Sequence, residues 1–165
     1  MADGKAGEIL VLGVGNPDRG DDGAGRVVAR ALLGALPAHI EVAEAGGEAT
    51  DLLGKLEDAA TAFIIDACAS GAVAGTIHRF DVSLAPLPQG AFGVSTHGFG
   101  LHEAIELARV LGQLPPRCVV YAIEAASFAT GAPLSSPVAA AVVEVASRLR
   151  TELIGDEDHK EPAHA

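Results

Sequence analysis

Apolar residues fall into two kinds of run along this chain. Residues 8–14 (Glu-Ile-Leu-Val-Leu-Gly-Val) and 61–67 (Thr-Ala-Phe-Ile-Ile-Asp-Ala) are almost continuously apolar, as strands buried on both faces are. Residues 39–45 and 118–124 read as two further strands. Residues 76–82 alternate apolar and polar instead, the signature of an edge strand. The connection leading into them is too short for a helical crossover, so this strand runs antiparallel to its predecessor. Elsewhere the period lengthens to that of helices. Residues 22–36 put Val27, Val28, Ala31, Leu32 and Ala35 on one face; residues 50–58 make a short helix; residues 98–112 hold Leu101, Ile105, Ala108 and Leu111 in register. A last helix runs from Ser136 to Leu153, with Pro137 in its first position. Strands alternating with helices predict a three-layer αβα sandwich around a mostly parallel five-stranded sheet with one antiparallel edge strand. Residues 1–154 are expected to form a single domain and residues 155–165 a disordered acidic tail.

Composition narrows the setting. Apolar residues make up 49% of the 165 positions but aromatic ones only 4%. The core must therefore be built from Ala, Val, Leu and Ile, which suits a sheet covered by helices. A net charge of −11 repels polyphosphate, which excludes nucleic acid as a natural partner. Cys68 and Cys118 give neither a disulfide framework nor a zinc spacing. No stretch approaches the roughly 18 apolar residues of a membrane helix, and the N-terminus does not read as a signal peptide. A reducing, cytoplasmic setting without membrane attachment is expected.

The most distinctive local sequence is Gly13-Val-Gly15-Asn-Pro-Asp-Arg-Gly20-Asp21-Asp22-Gly23-Ala-Gly25. It is not a dinucleotide loop. Asp18 stands where the third glycine should be, and Asp21 and Asp22 would repel a pyrophosphate at the helix start. Glu44, placed like a ribose-binding acid, does not rescue the motif. One aspartate of the pair can cap the following helix; a second beside it incurs repulsion unless a cation or donor meets it. Asp66 ends the third predicted strand and, taken alone, could simply cap a turn. His97 precedes the helix at residue 98 and, taken alone, could bond to backbone. Asp22, Asp66 and His97 nevertheless lie at the mouths of three elements expected on one edge of the sheet, where ligands of such folds bind. Two carboxylates and an imidazole suit a divalent transition metal, with coordination positions left open. His39, His78, His102, His159 and His164 read as surface or packing residues. Cys68 reads as a small buried thiol, with a Cys68–His97 hydrolase as the minor alternative. Glu124 is either a supporting group or a buried pairing partner.

Over residues 8–153 the chain resembles the hydrogenase maturation proteases. The resemblance rests on LVLGVGNPDRGDDGAG up to Gly25, FIIDA around Asp66, STHG around His97 and IEAASFATGAPLSSPV over 123–138, all in that family's order. It implies an endopeptidase that recognises nickel in a hydrogenase large-subunit precursor and removes its C-terminal extension. Asp22, Asp66 and His97 match the family's metal-contacting and catalytic positions. Some members carry Glu at the first of these. Gly15, Asn16 and Asp21 are expected to belong to the substrate loop. Nickel would arrive with the substrate rather than reside in the protein. Separately, the sequence shows no extra apolar surface stripe, so a monomer is expected. A metal-free aspartic-type peptidase and a non-cleaving, nickel-dependent chaperone of the large subunit are the competing readings.

Overall fold

The computed structural model describes residues 8–88 and 100–158. Its strands are β1 (Ile9–Val14), β2 (Ile40–Ala45), β3 (Thr61–Cys68), β4 (Ile77–Asp81) and β5 (Arg117–Glu124). Its α-helices are α1 (Ala24–Leu32), α2 (Ala49–Leu56), α3 (Leu101–Val110) and α4 (Ser136–Asp158), and a 3-10 turn, Gly20–Gly23, leads into α1. The strands form one sheet in the order β2-β1-β3-β5-β4. The first four in that order are parallel, and β4 is the antiparallel edge. The expected architecture is therefore the observed one.

Two features depart from the sequence reading. β4 runs antiparallel to β3 but does not pair with it: β5 lies between them, so β4's ladder partner comes later in the chain. The last helix continues to Asp158, through the first four residues assigned to a disordered tail; residues 159–165 lie outside the described residues.

Alternation along the strands divides the core. One face of the sheet carries Leu10, Leu12, Ala62, Ile64 and Val120 and is covered by Leu52 and Leu56 of α2 and Ala104 and Ile105 of α3. The opposite face carries Val11, Phe63, Ile65, Val119 and Ile123 against Val28 and Leu32 of α1 and Val145 and Leu149 of α4. Burying each of the Val, Leu, Ile and Phe side chains stabilises the fold by about 1.5–3 kcal/mol. The helices show the same selection. In α1 the buried side is Ala24, Gly25, Val28, Ala29 and Leu32, whereas Ala31 and Ala35 are exposed, so the predicted stripe was rotated. In α3 the buried side is Leu101, Ala104, Ile105 and Ala108, while Leu111 lies past the helix end and is 54% exposed. Among the described residues, no helix is long and apolar enough to cross a membrane.

This arrangement creates a crevice. From β1 the chain crosses through α1 on one face to β2; from β3 it reaches β5 through α3 on the other face. β1 and β3 are neighbours whose connections leave in opposite directions. Their carboxyl ends therefore open a gap, the usual ligand site of open α/β sheets.

Candidate active site

The gap is a cleft of about 410 Å³ lined by Val14, Gly15, Asn16, Asp22, Gly46, Gly47, Glu48, Asp66, Gly100 and Leu101. Asp22 is carried by the 3-10 turn after β1, and Asp66 lies two residues before the end of β3. Gly100 and Leu101 bring the start of α3 to the same cleft. His97 is three residues earlier in the chain and lies outside the described residues.

Two glycines allow the carboxyl groups to share the cleft. A Cβ on Gly25 would stand 2.1 Å from the Ile65 carbonyl oxygen and 2.6 Å from that of Val14. Only a bare Cα lets α1 settle this closely on β1 and β3, beside the residue preceding Asp66. Gly15 has φ +138°, and a Cβ there would come within 1.9 Å of the Asp22 carbonyl oxygen. The turn after β1 is thereby folded back on Asp22. The Asn16 backbone N–H donates to Asp22 Oδ2 at 3.1 Å, and the Asn16 Oδ1 accepts from the Asp18 N–H at 2.9 Å. Glu103 sets the entry to α3 by accepting the Gly100 N–H at 2.9 Å.

Asp66 faces the cleft and is partly buried. Burial pushes its carboxyl group well above the usual carboxylate range, and the charge of Asp22 pushes it the same way. One hydrogen bond, from the Ala67 N–H at 2.8 Å, opposes the shift without cancelling it. No Lys or Arg is among the described residues lining the cleft. A third carboxylate, Glu48, stands exposed at its rim; it was not singled out in the sequence, although its place after β2 at the start of α2 carried the signal.

Asp21 does something different from its neighbour. It is 1% exposed and turned away from the cleft. Its Oδ2 accepts from the Ala126 N–H (2.8 Å), the Ser127 N–H (3.1 Å) and the Ser135 hydroxyl (2.9 Å), and its Oδ1 accepts from the Ser135 N–H (2.7 Å). Burial alone would raise its pKa, but these bonds outweigh it and hold the carboxyl below the usual range. Asp21 is thus the anchor of the 126–135 loop. Neither Asp21 nor Asp22 caps a helix through its side chain. Glu44 is occupied as well, receiving Arg26 Nε at 2.9 Å and Arg30 Nε at 3.0 Å.

Of the residues selected from sequence, Gly15, Asn16, Asp22 and Asp66 are brought to one cleft, and Asp21 is not. Burial raises the Cys68 thiol, and a hydrogen bond to the Glu124 carboxylate adds to the effect. That environment opposes the nucleophile reading of Cys68.

The hydrogenase maturation protease (HycI) family model matches residues 28–152. The hydrogenase expression/formation protein HupD of Rhodobacter capsulatus is 35% identical over 115 residues, covering 68% of this chain and 55% of that protein. HupD of Bradyrhizobium diazoefficiens is 31% identical over 133 residues, covering 79% of this chain and 69% of that one. The chain spans little more than half the length of the Rhodobacter relative it matches. Among solved structures, the hydrogenase maturating endopeptidase HybD from E. coli superimposes with a TM-score of 0.75 at 25% identity, covering 90% of this chain and 93% of that one.

Proposed function

Because the chain belongs to the hydrogenase maturation protease family, we propose that it is an endopeptidase that recognises nickel already bound in a hydrogenase large-subunit precursor and cleaves off that precursor's C-terminal extension. The observation that carries this reading is a pair of carboxyl groups, Asp22 and Asp66, at one cleft with no cationic side chain among its described lining residues. Two like charges held together in this way are relieved by a divalent cation. In this proposal the cation is the substrate's own nickel. Asp22, Asp66 and His97 complete its coordination, and the loop of Gly15 and Asn16 receives the peptide. Held there, such an ion would supply Lewis acidity to the scissile carbonyl or a water, and one carboxylate of the pair would take the proton from the attacking water. The protein acts as a monomer in the cytoplasm, where its two buried free thiols stay reduced.

The decisive experiment incubates the protein with nickel-loaded and nickel-free precursor and weighs the products by mass spectrometry. Cleavage of the loaded form alone is expected. Asp22→Asn, Asp66→Asn and His97→Ala are each expected to slow it by about 10²-fold or more. The raised Asp66 carboxyl beside the Asp22 charge also resembles two acids sharing one proton, as in a metal-free aspartic-type peptidase. Equal cleavage of nickel-free precursor would establish that reading instead. Nickel-dependent binding without any cleavage would make the protein a chaperone.

A further inference from the structure

Cys68, His78 and Glu124 come from three different strands. Cys68 and Glu124 are register partners at the ends of β3 and β5. His78 pairs with Ala122, two residues before Glu124, which puts all three side chains on one face of the sheet. Cys68 Sγ lies 3.1 Å from Glu124 Oε2, and His78 Nε2 lies 3.3 Å from the same oxygen. One donor atom of each residue lies within 4.8 Å of the other two; among the described residues this is the group of three His, Cys, Asp or Glu side chains that meets that condition. Donors bound to a tetrahedral ion through bonds of about 2.0–2.3 Å stand roughly 3.3–3.8 Å apart, so a small closing or opening of the cluster accommodates one.

The surroundings are arranged as they are around metal ligands. Glu124 Oε1 is fixed by the N–H groups of Ser70 (2.7 Å) and Gly71 (2.9 Å), which leaves Oε2 aimed at the thiol and the imidazole. The Ser70 hydroxyl also reaches Oε2, at 2.8 Å. The His78 ring lies parallel to that of Phe80, at an interplanar angle of 10° with centroids 6.0 Å apart, which fixes its direction. Cys68 and Glu124 are each 2% exposed, whereas the His78 side chain is 26% exposed and gives an entry path. A hydrogen-bonded network that only held the turn after β3 would need Glu124 and the backbone of Ser70 and Gly71. It would not need a thiol and an imidazole delivered from two other strands.

We propose that Cys68, His78 and Glu124 form a metal site separate from the Asp22–Asp66 cleft, taking a borderline-soft divalent ion of the zinc class. Thiolate, imidazole and carboxylate together select such an ion over magnesium or calcium. It replaces the proton on Cys68 and ties together the ends of β3, β4 and β5, with a fourth position left for the Ser70 hydroxyl or a water. This assignment does not depend on the proposed peptidase activity.

The test uses the full chain, stripped with chelator, kept reduced and titrated with Co²⁺. One Co²⁺ is expected to bind with a thiolate-to-cobalt charge-transfer band in the near ultraviolet. Cys68→Ser is expected to abolish that band, and Asp22→Asn to leave it. Since Cys68 is buried and its replacement can unfold the chain, the partly exposed His78→Gln serves as the second variant. Its Zn²⁺ affinity by calorimetry is expected to fall at least tenfold, about 1.4 kcal/mol, with its metal-free melting temperature unchanged. The assignment is overturned by a wild type without the band, by a band that survives in folded Cys68→Ser, by loss of the band in Asp22→Asn, or by equal Zn²⁺ affinity in His78→Gln.

Discussion

At position 66 the chain places a carboxyl group where burial and the Asp22 charge both resist its ionisation. Removing the charge while keeping the shape should relieve that stress. Asp66→Asn is expected to raise the melting temperature of the metal-free protein by about 3 °C at neutral pH, read by calorimetry, while cleavage of the precursor is lost. A drop in melting temperature would show that Asp66 is a structural anchor. Asp21 should behave in the opposite way. Replacing it with Ala strips partners from three backbone N–H groups and one hydroxyl and is expected to cost about 3 kcal/mol in denaturant unfolding. The sequence singles out Asp22 for the site but keeps Asp21 in the adjoining loop, where the structure does not have it facing the cleft. Which one faces the cleft is set by the 3-10 turn over Gly20–Gly23 and by a loop more than a hundred positions away. For the same reason His78 reads as a surface or packing residue: its meeting with Glu124 depends on β4 choosing β5 rather than β3 as its neighbour.

Among the elements, α1 matters most for the cleft, and Gly25 is its contact point. A methyl group there must displace α1 from the Ile65 and Val14 carbonyl oxygens. Gly25→Ala is expected to destabilise the protein by about 1–3 kcal/mol and to lower cleavage further than its remaining folded fraction explains, because Asp22 moves with the helix. A loss of activity that merely tracks folding would remove α1 from this positioning role. Strands and helices were largely legible because their apolar runs are long and of one period. What periodicity did not settle was the exact buried stripe. The chain turns at Leu33, and α1 ends before Ala35 could join the core. Leu111 follows the last residue of α3, so its helical spacing has no helix to act through. The start of α3 is likewise set by Glu103 reaching back to the Gly100 N–H, a bond that a hydrophobic count does not register.

Taken together, the molecule keeps a buried acidic group ionised where its strands end. Burial works against ionisation of Glu124, but hydrogen bonds from Cys68 and Ser70, then Gly71, outweigh it and pull its pKa down to about 2 from an ordinary 4.5. A lowered folded-state value means that the associated stability is present above pH 4.5 and disappears as the pH falls toward 2. Acid unfolding of the metal-free wild type is therefore expected to steepen within that interval. Glu124→Gln should be less stable at neutral pH and flatter across the same interval, as measured by circular dichroism; an unchanged slope would contradict the assignment. The sheet order has a further consequence, for synthesis. β4 leaves the ribosome 36 residues ahead of the strand it must pair with, since its last residue is Asp81 and β5 begins at Arg117. Until then neither β3's free edge nor β4 has its native neighbour, and the nascent sheet must wait for translation to deliver the strand that joins them.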